Sequence, residues 1–145
     1  MNNHYSLYKQ VDVNTSSPLK IVLMLYDGAL NFLKKSIECA ENGDIKNKNI
    51  YANKTKDIIS ELNNSLNLEV GGEMAYHLKR LYFFMNRHLT QANLKNDTQG
   101  MKEVLLMLTD LREAWQEIYS QKENIDHQTY PQNDTQPYSQ KGLTI

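Results

Sequence analysis

The chain has 145 residues and a formal net charge of −1. That length holds one domain, or one domain and a tail, and the charge excludes a strong basic field that would draw nucleic acid or an anionic membrane. Cys39 is the single cysteine, so an internal disulfide is excluded and a reducing compartment fits. The apolar run 21–26 (IVLMLY) falls well short of the ~20 residues that span a bilayer, and residues 1–17 lack a signal-peptide pattern. A soluble cytoplasmic protein with no membrane insertion is expected.

Residues 19–130 contain no proline and show apolar residues three and four apart, without the alternation of a strand. The fold class predicted is all-α, an antiparallel up-down four-helix bundle. A polar segment, residues 1–16, precedes it and is expected to be mobile. The bundle is expected over 17–121, with a polar disordered tail over 122–145.

The first helix is predicted over about 18–42, with Ser17 as N-cap and Pro18 at the first helical position. Its core stripe reads Val22, Leu25, Ala29, Phe32, Leu33, Ile37 and Ala40, and Gly43 supplies a left-handed end. Asp44 then caps a second helix over about 45–66, carrying Ile45, Tyr51, Ile58, Ile59, Leu62 and Leu66. Gly71-Gly72 breaks the pattern, and a third helix follows over about 72–96 with Met74, Ala75, Leu78, Leu81, Tyr82, Met85, Leu89 and Ala92 inward. Asn96-Asp97-Thr98 ends it and opens a fourth helix over about 98–120, with Met101, Val104, Leu105, Leu108, Leu111, Trp115, Ile118 and Tyr119.

Motifs for catalysis and cofactors are absent. No Glu has a His three residues later, as a di-metal bundle requires, and Gly71-Gly72 lacks the surroundings of a phosphate loop. Glu73 and His77 are four apart, which is the usual look of a surface contact, and Cys39 has no basic setting to activate it, so burial is expected for it. No enzyme activity, metal or cofactor is expected.

Apolar residues remain once each helix has one inward stripe: Leu23, Met24 and Tyr26 on the first, Tyr76, Phe83 and Phe84 on the third, Leu106 and Met107 on the fourth. Singly, each reads as an ordinary surface or wide-core hydrophobe. Together they predict a groove for another chain, a role that suits methionine and aromatic side chains. Gly28 in mid-helix is disfavoured by ~1 kcal/mol relative to Ala, which a close approach by a packed or bound helix would explain.

The string from Ser16-Ser17-Pro18 to Met24-Leu25-Tyr26-Asp27-Gly28-Ala29-Leu30 resembles the flagellar secretion chaperones of the FliS family. The resemblance continues through Gly71-Gly72-Glu73, Leu81-Tyr82, Leu89, Ala92-Asn93 and Asp97 to Leu111-Arg112-Glu113-Ala114-Trp115, and Tyr8-Lys9-Gln10-Val11 matches at the start. It covers residues 5–119. It implies a non-enzymatic cytoplasmic chaperone that binds the disordered C-terminal region of flagellin, blocks premature polymerisation and aids delivery to the flagellar export apparatus. It also implies further partners in some members, an anti-sigma factor or a second flagellin-binding protein. The N-terminal segment, with Tyr5, Leu7 and Tyr8, is then expected to cap the groove when no client is bound. The alternative is a helical adaptor that joins folded proteins.

Overall fold

The computed structural model describes residues 18–129. Four helices run in order: α1 (Pro18–Glu41), α2 (Ile45–Asn64), α3 (Leu68–Leu94) and α4 (Thr98–Thr129), with no strand among the described residues. Each helix packs on its neighbours in the ring α1–α2–α3–α4–α1, and the diagonal pairs do not touch through their backbones. This is the predicted antiparallel bundle.

Local chemistry sets the joints. Gly43 takes a left-handed φ of 78°, its N–H reaches Ala40 O at 3.3 Å, and the Asp44 N–H reaches Cys39 O at 2.8 Å, which together close α1. The Asp44 carboxylate accepts from the Asn47 N–H at 3.2 Å and from Asn47 Nδ2 at 2.8 Å, opening α2. Asn96, at φ 52°, repeats the α1 ending: Asp97 N–H to Ala92 O is 2.8 Å and Asn96 N–H to Asn93 O is 3.2 Å.

Several boundaries differ from expectation; α1 ends at Glu41 and α3 at Leu94, one and two residues early. α2 stops at Asn64 instead of 66. α3 begins at Leu68, before the glycine pair, because the Asn67 carboxamide accepts from the Val70 N–H at 3.1 Å and caps an extra turn. Gly72, at φ 57° and ψ −135°, then kinks the helix. α4 runs to Thr129, so 122–129, expected in the disordered tail, are helical. The remaining tail, the segment 1–16 and the Ser17 cap lie outside the described residues.

The core joins Leu25, Tyr26, Ala29, Leu33 and Ile37 of α1 to Ile58, Ile59 and Leu62 of α2, Tyr82, Met85 and Leu89 of α3, and Met101, Val104 and Leu108 of α4. The α1 stripe is wider than predicted and takes in Ile21, Tyr26, Leu30 and Ser36, whereas Val22 and Phe32 are only half-buried. The reason is packing on two flanks, since α1 touches both α2 and α4. Ile45, Met74 and Ile118 are exposed although their spacing predicts them inward: Ile45 opens α2, Met74 follows the Gly72 kink, and Ile118 lies past Leu108, the last fully buried residue of α4. Cys39 is half-buried rather than buried.

The two ends of the bundle differ. At the end holding the α1–α2 and α3–α4 joints, Lys48 is 3% exposed and its Nζ donates to Asn93 O at 2.8 Å and to Asn96 Oδ1 at 3.2 Å. Ser36 Oγ donates to Lys48 O at 2.8 Å, and Lys102 pairs with Glu41 at 3.1 Å across α4 and α1. The buried ammonium thus serves the carbonyls at the negative end of α3.

Candidate functional site

The opposite end is open. An apolar cavity of about 270 Å³ lies among all four helices, walled by Val22 of α1, Leu62 of α2, Leu66 of the α2–α3 joint, Val70, Met74, Ala75, Leu78 and Tyr82 of α3, and Trp115 of α4. Asn67 and the kinked start of α3 form its rim, where Val70 and Met74 are 84% and 68% exposed. The volume sits just below the ~300 Å³ at which small-ligand pockets begin. It suits apolar side chains presented by a helix better than a whole cofactor.

An aromatic cluster forms the inner wall. The hydroxyls of Tyr26 and Tyr82, both in the core, share a hydrogen bond of 2.5 Å across the diagonal of the bundle, and Trp115 Nε1 donates to the Tyr26 oxygen at 3.3 Å. Burial pushes both phenols above their ordinary range; the hydrogen bonds from Tyr82 and Trp115 partly offset this for Tyr26, and the Tyr26 hydroxyl adds to it for Tyr82. They are neutral hydrogen-bonding groups, and nothing here activates them as acids or bases. Next to them, Arg112 Nε donates to Asp27 Oδ1 at 2.7 Å, which ties α4 to α1 and raises the guanidinium pKa.

The residues singled out in sequence divide into three groups. Tyr26 is fully buried and Leu23 is 6% exposed, so neither is a surface group of α1. Met24 is half-buried against the core, and Gly28 is half-buried. Phe83, Phe84 and Leu106 belong to the outer sides of α3 and α4, away from the cavity, 58%, 41% and 62% exposed, whereas Met107 is half-buried against the core. Tyr5, Leu7 and Tyr8 lie outside the described residues. The cavity residues Leu66, Val70, Met74 and Trp115 were missed as site residues because three of them fit a core stripe. The available signal was Val70 and Met74, one turn apart on either side of the Gly71-Gly72 break.

Among the described residues no three of His, Cys, Asp and Glu converge as a metal site, and no helix is long and apolar enough to cross a membrane. Glu73 and His77 do not pair; His77 Nδ1 meets Arg80 Nη2 at 2.6 Å on the surface.

Residues 1–122 match the family described as flagellar protein FliS. The chain is 40% identical over 125 residues to the flagellar secretion chaperone FliS of Bacillus subtilis, covering 86% of this chain and 92% of that protein. It is 35% identical to the Campylobacter jejuni flagellar secretion chaperone FliS, covering 82% and 93%, and 40% identical to that of Salmonella typhimurium, covering 77% and 86%. The strings that carried the resemblance in sequence meet in space, since Tyr26 and Asp27 of α1 contact Tyr82 of α3 and Trp115 and Arg112 of α4. The chain belongs to the FliS family of flagellar secretion chaperones.

Proposed function

We propose that this chaperone works by binding alone, in the cytoplasm, and that its client is the C-terminal region of flagellin. The open apolar cavity carries the proposal. A disordered client segment folds into an amphipathic helix and sets its anchoring side chains between Val22, Leu66, Met74 and Trp115. With its apolar face covered, the segment cannot pair with a second flagellin, and the complex goes on to the export apparatus. Ordering the client offsets much of the burial energy, which keeps the complex releasable.

The N-terminal segment, through Tyr5, Leu7 and Tyr8, is proposed to cover the same apolar end before the client arrives. Its removal up to residue 14 is expected to leave client affinity equal or higher.

The test is titration of the full chain with an isolated flagellin C-terminal peptide, followed by circular dichroism and by emission of Trp115, the single tryptophan. Binding is expected to create helix and to shift the emission to the blue. Val70→Glu and Met74→Glu, at exposed positions, should keep the fold and weaken binding by about tenfold or more each. If the peptide fails to bind while a folded partner does, the adaptor reading takes over.

A further inference from the structure

The seam by which α4 enters the core does not stop where the core stops. Leu108, Leu111, Trp115, Ile118, Lys122 and Ile125 follow one another at alternating steps of three and four, the spacing of a helix that packs on another along its length. Leu108 is fully buried, Leu111 and Trp115 are half-buried, and Ile118 and Ile125 are 46% and 54% exposed. The periodicity therefore outlasts its cover. The polar side of the same stretch is paired within the helix: the Tyr119 hydroxyl bonds to Glu123, and Gln116 Nε2 donates to Ser120 Oγ at 3.3 Å. Both pairs are one turn apart and off the seam.

The heights of the neighbouring helices explain the exposure. Trp115 meets Tyr26, and Arg112 meets Asp27; counted outward from these contacts, Pro18 at the start of α1 stands near Lys122. His88 Nε2 meets Glu103 Oε1 at 2.7 Å, and a Cβ on Gly100 would stand 2.9 Å from that of Ala92. The same count along α3 brings its start, Leu68, near Glu123. Helix α4 runs to Thr129, so its last two turns, about 10 Å, pass both neighbours. Ile118 is one turn on from Trp115, on the same side of α4, and Trp115 is the α4 wall of the cavity. Across the mouth, Met74 stands near the height of Ile118 and belongs with Val70 to the exposed α3 rim. The family match ends at residue 122, so the outer part of the seam, with Ile125, lies beyond it.

We propose that α4 from Ile118 to Ile125 is the outer half of the client groove. The proposal rests on the proposed function, in which a flagellin segment enters the cavity as an amphipathic helix. That helix leaves the mouth between Met74 and Ile118 and follows α4 outward. Its apolar stripe then lies on Ile118, Ile125 and the methylene stem of Lys122. The occupant is the client because the seam is continuous with the cavity wall at Trp115. From Trp115 to Ile125 is about 15 Å, or three turns. The chain therefore favours flagellins whose C-terminal apolar stripe continues for about ten residues beyond what the cavity holds.

The test titrates the full chain, and its Ile118→Asp, Ile125→Asp and double variants, with a flagellin C-terminal peptide. Both side chains are exposed, so circular dichroism and Tm of the free variants should match wild type. Each single variant should weaken binding by about threefold to tenfold, and the double variant by about thirtyfold. Amides 118–125 should exchange more slowly once the peptide is bound. Of two peptides shortened by about ten residues, one from each end, one should bind wild type and double variant alike. Unchanged affinity in the double variant, with Met74→Glu still weakening binding, overturns the outer groove and leaves the cavity as the client site. A wild type that binds no peptide overturns both. Tighter peptide binding by the double variant assigns the seam to residues 1–16 as its cover, and a changed oligomeric state at unchanged peptide affinity assigns it to a second copy; either result overturns the proposal.

Discussion

Tyr26 and Tyr82 divide their work between ring and hydroxyl, and substitutions separate the two. Tyr26→Ala empties a fully buried site and should cost about 3–5 kcal/mol in urea unfolding. Tyr82→Phe keeps the ring, leaves the Tyr26 oxygen with Trp115, and should cost about 1 kcal/mol. Equal losses would mean that the hydroxyl pair, not packing, dominates. The same pair sets an alkaline limit. Both phenols are held above their ordinary range, chiefly by burial, so the folded state keeps its protons more tightly than the unfolded chain. Their contribution is fully present below the unfolded value of about 10 and is lost as pH rises past it. A Tyr26→Phe, Tyr82→Phe double variant should flatten the fall in stability above pH 10. Lys48 is the other decisive residue. Lys48→Met keeps volume but leaves Asn93 O and Asn96 Oδ1 without the ammonium. A loss of about 1–3 kcal/mol is expected, and an unchanged or higher Tm would show that water replaces it without penalty.

Among the elements, α3 departs furthest from a regular helix. Gly72 holds φ 57° with ψ −135°, a combination that side chains tolerate poorly. Gly72→Ala should therefore cost about 1–3 kcal/mol and displace the 68–71 turn, which thermal unfolding and the Trp115 emission would both register. The glycine pair announced a break in sequence. The turn before it was illegible, because Asn67 caps α3 through an Asx contact that leaves no periodic trace in so short a segment. The four helices, the Gly43 ending and the Asp44 cap were legible from local chemistry alone. The α1 face was not. Seven of its inward and outward assignments depend on whether one or two neighbours flank the helix, and Tyr26 moved from groove to core for that reason. Similarly, α4 continues to Thr129 where composition alone pointed to a tail, since a helix end carries on past its packed part when nothing breaks it.

At the scale of the molecule, one end is locked and the other open, and under the proposed function that asymmetry gives client binding a direction. The locked end is held by the Lys48 contacts, the Ser36 bond, the Lys102–Glu41 pair and two paired helix endings. The open end has an apolar cavity, a kinked first turn of α3 and half-buried Trp115. Local opening takes least free energy where buried contacts are few. Amide hydrogen exchange of the free protein should thus be fast over 68–75 and slow around 36–40, 52–59 and 101–108. If a flagellin segment lodges in the cavity as proposed, it should protect the α3 start and the α4 stretch around Trp115, and add little at the joints, which are already closed. Protection that appeared first at the joints would place the client at the locked end and remove the cavity from the mechanism. Because the cavity is lined from all four helices and the joint between α2 and α3, a client bound there as proposed would act as a fifth element of the bundle. The complex should then unfold at a higher Tm than the free chain, by an amount that grows with peptide concentration as linkage requires. The Met74→Glu variant should lose most of that gain at unchanged stability of the free protein.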